Sequence, residues 1–473
     1  MSRSGRRIRL PDVARRQRTR RIDATTVLAV VLPLATVGVL ALVRQPPTHT
    51  TDQPPALTGL TRSLVVCPSA APGSPDAEVS TTNGSAGKVT VVSGTSSHDV
   101  AVRPWTASAV PGSGTLTIKG VDALAPGLVA ARSGTAPVTG LDCPNPASDQ
   151  WFTGVGARSD HDSLIELTNP DSGPAVADIS LLAHQTFSVR QLRGITIPGH
   201  RTITLDLGQV VPRRPLLTAH VVVSRGRLAV GVLDTSTDLA TKKVQSEWLP
   251  RQLVPEQDSL LLGLPTGPGN RTLQLANPGT DVVRAQVRIV TGDTSFVPAG
   301  LKPVSIAPGA TASLSLTVEL RKALQDGAVG VAVQATAPVT ASLRTTLADD
   351  RVLTVPADPI SQEAATLLPV VTGKAAKQHQ VSAQVLLSAD AAGSVTVTAY
   401  DASGQRVLNR TVGTQKGRTS SVSLPKGTAL VDVVPQRTKV SGSVVVTGDG
   451  ATVIPLHELL VRGLVPQISP GQD

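Results

Sequence analysis

Two hexamers constrain this chain more than any other feature: "IELTNP" at residues 165–170 and "LQLANP" at 273–278. Their surroundings follow each other in order. "AVADISLLA" (175–183) is echoed by "VVRAQVRIV" (282–290), and "ITIPGH" (195–200) by "VSIAPGA" (304–310). "RTITLDL" (201–207) then returns as "TASLSLTVEL" (311–320), and "AHVVVS" with "LAVGVLDTS" as "AVGVAVQA" with "PVTASLRTTL". Several features in one order at one offset of about 110 residues make an internal duplication.

Each copy reads as about seven short strands in period-two alternation, separated by Gly, Pro, Asn or Asp turns. In "TASLSLTVEL", Ala312, Leu314, Leu316, Val318 and Leu320 are expected on the buried face of one strand. Asn-Pro is expected to close the first strand of each copy, because proline cannot donate to a ladder and asparagine accepts turn geometry. Seven such strands in roughly 75–95 residues is the count of an immunoglobulin- or fibronectin-like sandwich. The chain has only seven aromatic residues, so its cores must be built from Val, Leu, Ile and Ala. The same rhythm continues outward, giving units over 60–148, 149–250, 251–350 and 366–463, with a tail at 464–473. The expected fold is mainly β: about four tandem sandwiches, strung as a rod behind an N-terminal membrane helix. Little other helix is expected; "ELRKALQDG" (319–327) has room for one or two turns.

That membrane helix is read from "ATTVLAVVLPLATVGVLALV", residues 24–43, which carries no charge. Twenty helical residues span about 30 Å, the hydrocarbon thickness of a bilayer. A mid-span proline, Pro33, is tolerated there. Residues 1–23 hold nine Arg and two Asp, +7 of the total +10, and only Arg44 follows the apolar run. The positive side stays in the cytoplasm, so the bulk of the chain is expected outside it. The tail also suits anionic lipid on the inner leaflet. A cleaved signal peptide is the alternative, with "VLA" (39–41) as its site, but that site falls inside the apolar run. The remaining 450 residues carry only +3, which argues against a nucleic-acid partner. "RQPPTHTTDQPPALTG" (44–59) reads as an extended, proline-rich stalk.

The two cysteines, Cys67 and Cys143, both lie in the exported part, where an even count makes a disulfide the default. It would staple the first unit across its ends. The loop it closes contributes roughly 4 kcal/mol in the chain-entropy model.

Chemistry is sparse. The sequence contains no G-x-S-x-G, H-E-x-x-H, P-loop or G-x-G-x-x-G pattern. His161, His184, His200 and His220 share the second unit, with Asp160 and Asp162 beside the first of them. No pair has the spacing that fixes two metal ligands on one element, so scattered surface histidines are the simpler reading. Trp151 and Phe152 form the densest aromatic spot, either a platform for a sugar ring or an anchor packing one unit on another. Trp105 and Trp248 read as packed. Asn83, Asn270 and Asn409 begin N-x-S/T sequons, which chance alone produces in a Ser/Thr-rich chain.

Taken together, the Arg-rich start, the single apolar helix, Cys67-Pro68, "WFTG" (151–154), "ELTNP" with "QLANPG", "EWLP" (247–250) and "VPAG" (297–300) carry a resemblance. Over about residues 60–462 the chain resembles an uncharacterised family of actinobacterial single-pass envelope proteins. The resemblance implies a place on the outer face of the cytoplasmic membrane of a high-GC Gram-positive bacterium, and it brings no catalytic residue. The expected function is a non-enzymatic, membrane-anchored scaffold or protein-binding module of the cell envelope, needing no cofactor. The alternatives are a glycopolymer-binding module resting on Trp151 and Phe152, and a hydrolase or transferase resting on the histidines.

Overall fold

Alternating apolar residues bounded by turns leave this chain little choice but strands, and the computed structural model is mainly β. It describes residues 24–42 and 56–465, apart from 75, 185, 186, 188, 348, 349 and 371–380. The basic tail, the stalk as far as residue 55 and residues 466–473 lie outside the described residues.

Helix α1 (Ala24–Leu42) forms over the uncharged run and is a separate unit from the β body. Among the described residues no helix is long and apolar enough to cross a membrane.

The β body contains four modules. β1 (Ala56–Gly59) precedes the first, which comprises β2 (Arg62–Cys67), β3 (Ala77–Thr81), β4 (Gly87–Ser93), β5 (Ser96–Val102), β6 (Ser108–Val110), β7 (Leu116–Val121), β8 (Leu128–Thr135) and β9 (Val138–Asp142). The second holds β10 (Asp149–Arg158), β11 (His161–Thr168), β12 (Ala175–Leu182), β13 (Ile195–Ile197), β14 (Thr202–Asp206), the one-turn helix α2 (Leu207–Val210), β15 (Arg214–Arg225), β16 (Ala229–Thr237) and β17 (Val244–Trp248). The third holds β18 (Glu256–Leu262), β19 (Gly269–Ala276), β20 (Val283–Thr291), β21 (Ser295–Phe296), β22 (Val304–Ile306), β23 (Thr311–Ser315), helix α3 (Thr317–Gln325), β24 (Ala328–Leu347) and β25 (Arg351–Thr354). The fourth holds β26 (Ala364–Leu367), β27 (Ser382–Ala389), β28 (Gly393–Asp401), β29 (Arg406–Thr414), β30 (Thr419–Ser423), β31 (Thr428–Gln436), β32 (Val440–Gly448) and β33 (Gly450–Pro455). β34 (Arg462–Val465) returns to pair with β1.

All four modules share one strand order. Counting strands within a module, one sheet runs 1-6-3-4 and the other 5-2-7-8, as in β2-β7-β4-β5 with β6-β3-β8-β9 and in β26-β31-β28-β29 with β30-β27-β32-β33. The second module repeats this, with β10 linking its two sheets by pairing β11 at Arg158 and His161. In the third, the twenty-residue β24 serves as both sixth and seventh strand, pairing β20 and β18 with its first half and β19 and β25 with its second. Each module encloses its own aliphatic core, such as Val89, Val91, Ile118, Ala77, Val79 and Leu128 in the first. There Cys67, at the end of β2, is bonded to Cys143, one residue past β9, joining the two sheets.

The modules do not line up as the expected rod. They close into a ring. The first strand of each module lies against the seventh of a neighbour: β2 on β16, β10 on β24, β18 on β32, and β26 back on β8. The eighth strands β9, β17, β25 and β33 touch in sequence around a central axis, β33 returning to β9. Apolar clusters fill all four seams: Leu141 with Trp248, Trp151 with Ala276, Leu262 with Val445 and Val453, and Val129 with Leu367. A lone module would leave strands 1, 4, 5 and 8 at its sheet edges, and closure covers strands 1 and 8. Gly140, in β9, marks the close approach at the axis, where a Cβ would meet the end of the Ile454 side chain at 2.8 Å.

Two strand assignments need correction. The repeated hexamer is the second strand of its module, β11 or β19, not the first. "TASLSLTVEL" is not one strand: β23 stops at Ser315 and α3 begins at Thr317. The helix-forming run "ELRKALQ" wins here. It turns Val318 to solvent, 72% exposed, while Leu316 and Leu320 remain buried.

The purpose of the repeated asparagine is visible in both copies. Asn169 Nδ2 donates to the carbonyls of Gly173 (2.8 Å) and Ile197 (3.0 Å), and its Oδ1 accepts from Asp171 N (3.0 Å). Asn277 does the same with Asp281 (2.7 Å), Ile306 (3.1 Å) and Gly279 N (2.9 Å). One buried amide therefore closes the turn after strand 2 and ties it to the end of strand 4. Truncating it leaves buried carbonyls unpaired, at about 1–3 kcal/mol for the site. Asn277→Ala and Asn169→Ala should each lower the urea midpoint by that order, whereas exposed Asn409→Ala should stay within about 0.5 kcal/mol. Equal midpoints for the three variants would remove this role.

Candidate functional site

Closure of the ring brings charged side chains from different modules together at three places. At the axis, Glu247 of β17 is 2% exposed, and Trp248 N donates to its Oε1 at 2.9 Å. Thr452 and the Gly140 backbone face the same carboxyl, so the first and fourth modules meet the second there. Burial, reinforced by the neighbouring Asp350 carboxylate, pushes Glu247 well above the usual carboxylate range. Asp350 is itself raised by burial, and its Oδ2 accepts from Ala451 N at 2.6 Å. Burial in a dry site beside another carboxylate thus favours the protonated form of Glu247.

Beside the disulfide, a cavity of about 80 Å³ lies between the first, second and fourth modules. It is walled mainly by apolar groups, including Val65, Phe152, Val230 and Leu459, with Asp142, Arg251 and His457 among them. Burial raises Asp142 to about 7, although Thr366 Oγ1 donates to it at 2.6 Å. Burial lowers Arg251 to about 10. His457 Nδ1 lies 3.3 Å from Asp358 Oδ2. The space suits one or two waters or a small group rather than a sizeable ligand.

The seam between the second and third modules is largely polar beyond the Trp151–Ala276 contact. Thr153 Oγ1 and Thr340 Oγ1 are 2.5 Å apart, Ser342 Oγ donates to Thr153 O at 2.6 Å, and Trp151 and Gln252 exchange two backbone hydrogen bonds. Gly154, φ 104°, sits at the closest approach, where a Cβ would overlap the Gln274 side chain. This explains why "WFTG" ends as it does. Two clefts border the seam. One, of about 540 Å³, is lined by Trp151, Phe187, Arg193 and His220 together with Pro278 and Gly309 of the third module. The other, of about 560 Å³, is lined by His161, Lys243, Gln245, Arg344 and Arg351 among others.

In the first cleft, Trp151 and His220 stack with centroids 3.6 Å apart and planes 9° from parallel. His220 Nε2 lies 2.9 Å from Asp149 Oδ1. Burial nevertheless keeps the imidazole below its usual pKa, so it stacks uncharged. Trp151 is 6% exposed with one face covered by this ring, and Phe152, 1% exposed, belongs to the second module's core. Phe187 is the more open aromatic, with the Arg214 guanidinium 4.6 Å above its ring.

In the second cleft, Asp234 is fully buried and surrounded by donors. His161 Nε2 lies 2.8 Å from Oδ1, Ser163 Oγ donates to Oδ1, and Arg351 Nη2 lies 2.5 Å from Oδ2. Burial opposes its ionisation, but Arg351 and His161 outweigh burial and hold it below the usual carboxylate range. Ser, His and Asp thus meet without forming a nucleophilic triad: the hydroxyl is spent on the carboxylate rather than on the imidazole.

Of the four histidines that share the second module, His161 and His220 line these two clefts, one in each. Among the described residues no hydrogen bond joins any two of the four. Among the described residues, too, no group of three or more His, Cys, Asp or Glu is placed to hold a metal. Glu247, Arg344 and Arg351 were not singled out by sequence. Their signal was a charge inside an otherwise alternating strand, as in "SLRTTL".

The segment carrying these seams, residues 91–425, matches DUF5719, a family of unknown function. The chain belongs to that family. No curated protein matches it. The match begins within the first module and ends within the fourth, so the family's sequence pattern runs through all four.

The neutral buried acids set a pH dependence. Glu78 and Asp432 are, like Asp142, raised by burial to about 7, and Glu247 is raised too. A folded pKa above the unfolded one means stability that is full below about 4 and is lost as pH rises through about 7. The melting temperature should therefore fall between pH 5 and pH 8. Glu247→Gln should recover on the order of 1–2 kcal/mol at pH 8 and little at pH 4.5. A wild-type melting temperature that is flat or rising over that range would contradict the assignment.

Proposed function

We propose that this is a non-enzymatic binding body of the bacterial cell envelope, tethered to the membrane by residues 24–43 and acting outside the cytoplasm. In this reading the four modules are immunoglobulin-like sandwiches, and the host is the actinobacterial type that the sequence resembles. The uncharged twenty-residue segment, the arginines before it and the disulfide of the first module support the location. The observation that carries a binding role is the seam between the second and third modules, with clefts of about 540 and 560 Å³ whose linings hold aromatic and cationic side chains. The wiring of Ser163 to Asp234 rather than to His161 favours binding over hydrolysis.

The partner is an envelope protein in the leading form of this reading. A glycopolymer is the second form, favoured by one observation: Phe187 and Trp151 line the same cleft as Arg193, and aromatic faces beside a cation suit an anionic sugar chain.

Proximity labelling from the C-terminus in the native host decides the location and the partner class. Envelope proteins should be labelled, and Phe187→Ala should weaken their recovery severalfold without changing the melting temperature by more than a few degrees. Loss of cell-wall polymer binding in Phe187→Ala, with unchanged protein partners, would favour the glycopolymer. Labelling confined to cytoplasmic proteins would refute the whole proposal.

A further inference from the structure

We infer that the cleft lined by Arg344 and Arg351 binds an oxyanion, a phosphate or carboxylate group, between the second and third modules. This stands independently of the envelope reading, because it rests on unbalanced charge and on unpaired donors.

Two guanidinium groups from the third module meet here at His161 of the second, and one of them pairs with Asp234. Arg351 Nη2 lies 2.5 Å from Asp234 Oδ2, while Arg344 Nη2 donates to Gly154 O at 2.6 Å and lies 3.1 Å from His161 Nε2. Among the described residues Arg344 forms no salt bridge, and Asp234 is the only carboxylate bonded to Arg351. Among the described residues these two guanidinium groups outnumber the carboxylate beside them by one.

The acidic residues on the cleft wall are already engaged. Asp160 accepts from Arg158 Nε (2.7 Å) and Nη2, and Asp238 caps its own turn through the amides of Ala240 (2.8 Å) and Thr241 (2.9 Å). Neither is left to serve the arginines.

Several donors also lack acceptors. Arg351 is 1% exposed, yet among the described residues its Nε and Nη1 have no hydrogen-bond partner, and neither has Nε of Arg344. Buried guanidinium donors without acceptors are costly, and an acceptor entering the cleft would satisfy them. Burial and the neighbouring Arg351 lower Arg344 to about 10, the cost of holding two like charges together. A guanidinium fork matches the paired oxygens of a phosphate or carboxylate. Lys243, Thr237 and Thr241 on the same wall supply further polar groups at the rim, and about 560 Å³ admits the group together with part of the molecule that bears it.

The test uses the full chain in a buffer free of both anions. Inorganic phosphate and acetate are titrated separately at constant ionic strength held with chloride, reading the melting temperature and, for phosphate, the ³¹P line width. At least one anion should bind saturably. Arg344→Gln should weaken that binding about tenfold, Lys243→Gln about threefold, and the distant exposed variant Arg406→Gln not at all. If Arg344→Gln fails to fold, Lys243→Gln decides, since that side chain is exposed and no core depends on it. A response to phosphate alone marks a phosphoryl ligand, and one to acetate alone a carboxylate. No saturable response to either anion overturns the inference, as does an equal response in wild type and Lys243→Gln.

Discussion

Everything described here depends on the first strand of each module lying against the seventh strand of a neighbour. A two-sheet module built from eight short strands exposes edges that would template pairing with other chains. In this chain the first strands β2, β10, β18 and β26 are covered at the seams, and the eighth strands β9, β17, β25 and β33 cover one another at the axis. The final contact, β26 on β8, requires the fourth module to reach back to the first, and β34 pairs with β1 at the chain ends. Closure is thus a cooperative constraint: each seam is built from two modules, and the last seam exists only when the other three are in place.

The seams differ in chemistry, and that difference separates support from function. Between the third and fourth modules the contact is aliphatic, with Leu262 and Val352 against Leu386, Val445 and Val453. Between the second and third it is largely hydroxyl and amide, through Thr153, Thr340, Ser342 and Gln252. An aliphatic seam stabilises by excluding water and has no further specificity to offer. A polar seam must satisfy each donor and acceptor, and where it does not, as at Arg351, it leaves a group that a ligand can complete. Charge buried at the axis is handled differently. Glu247 has an acidic neighbour in Asp350 rather than a cation, so neutrality is reached by keeping a proton.

The repeat was legible because it is written in local chemistry. Asn169 and Asn277 sit at matching places, and each closes a turn within its own module through carbonyls a few residues away and at the end of strand 4. Such signals survive in sequence since turn geometry restricts residue type. The motifs that carried the family resemblance have a second use that no local rule announces. Pro68 packs against Gly231 of the second module, Gly154 lies against Gln274 of the third, and Trp248 packs on Leu141 of the first. They mark seams. Only the start of helix α3 was misread: "SLSLTVEL" alternates well enough to pass as strand, whereas the turns expected within "ELRKALQDG" form, with Leu316 and Leu320 packed against the third core.

Sequence by itself determined that the chain is mainly β, that its middle modules repeat one pattern, that Asn169 and Asn277 sit at turns, and that the cores are aliphatic. Those properties follow from period-two alternation and turn chemistry, which act over a few residues. It did not determine that four modules make a ring rather than a rod, that Trp151 would lie beneath His220, or that Arg351 would pair with Asp234 while Arg344 and Arg351 both reach His161. Those outcomes join residues about 70 to 190 positions apart across surfaces whose complementarity has no short-range signature. Only the tertiary structure could decide them, because contact between modules depends on shape, and shape exists only once each module has folded.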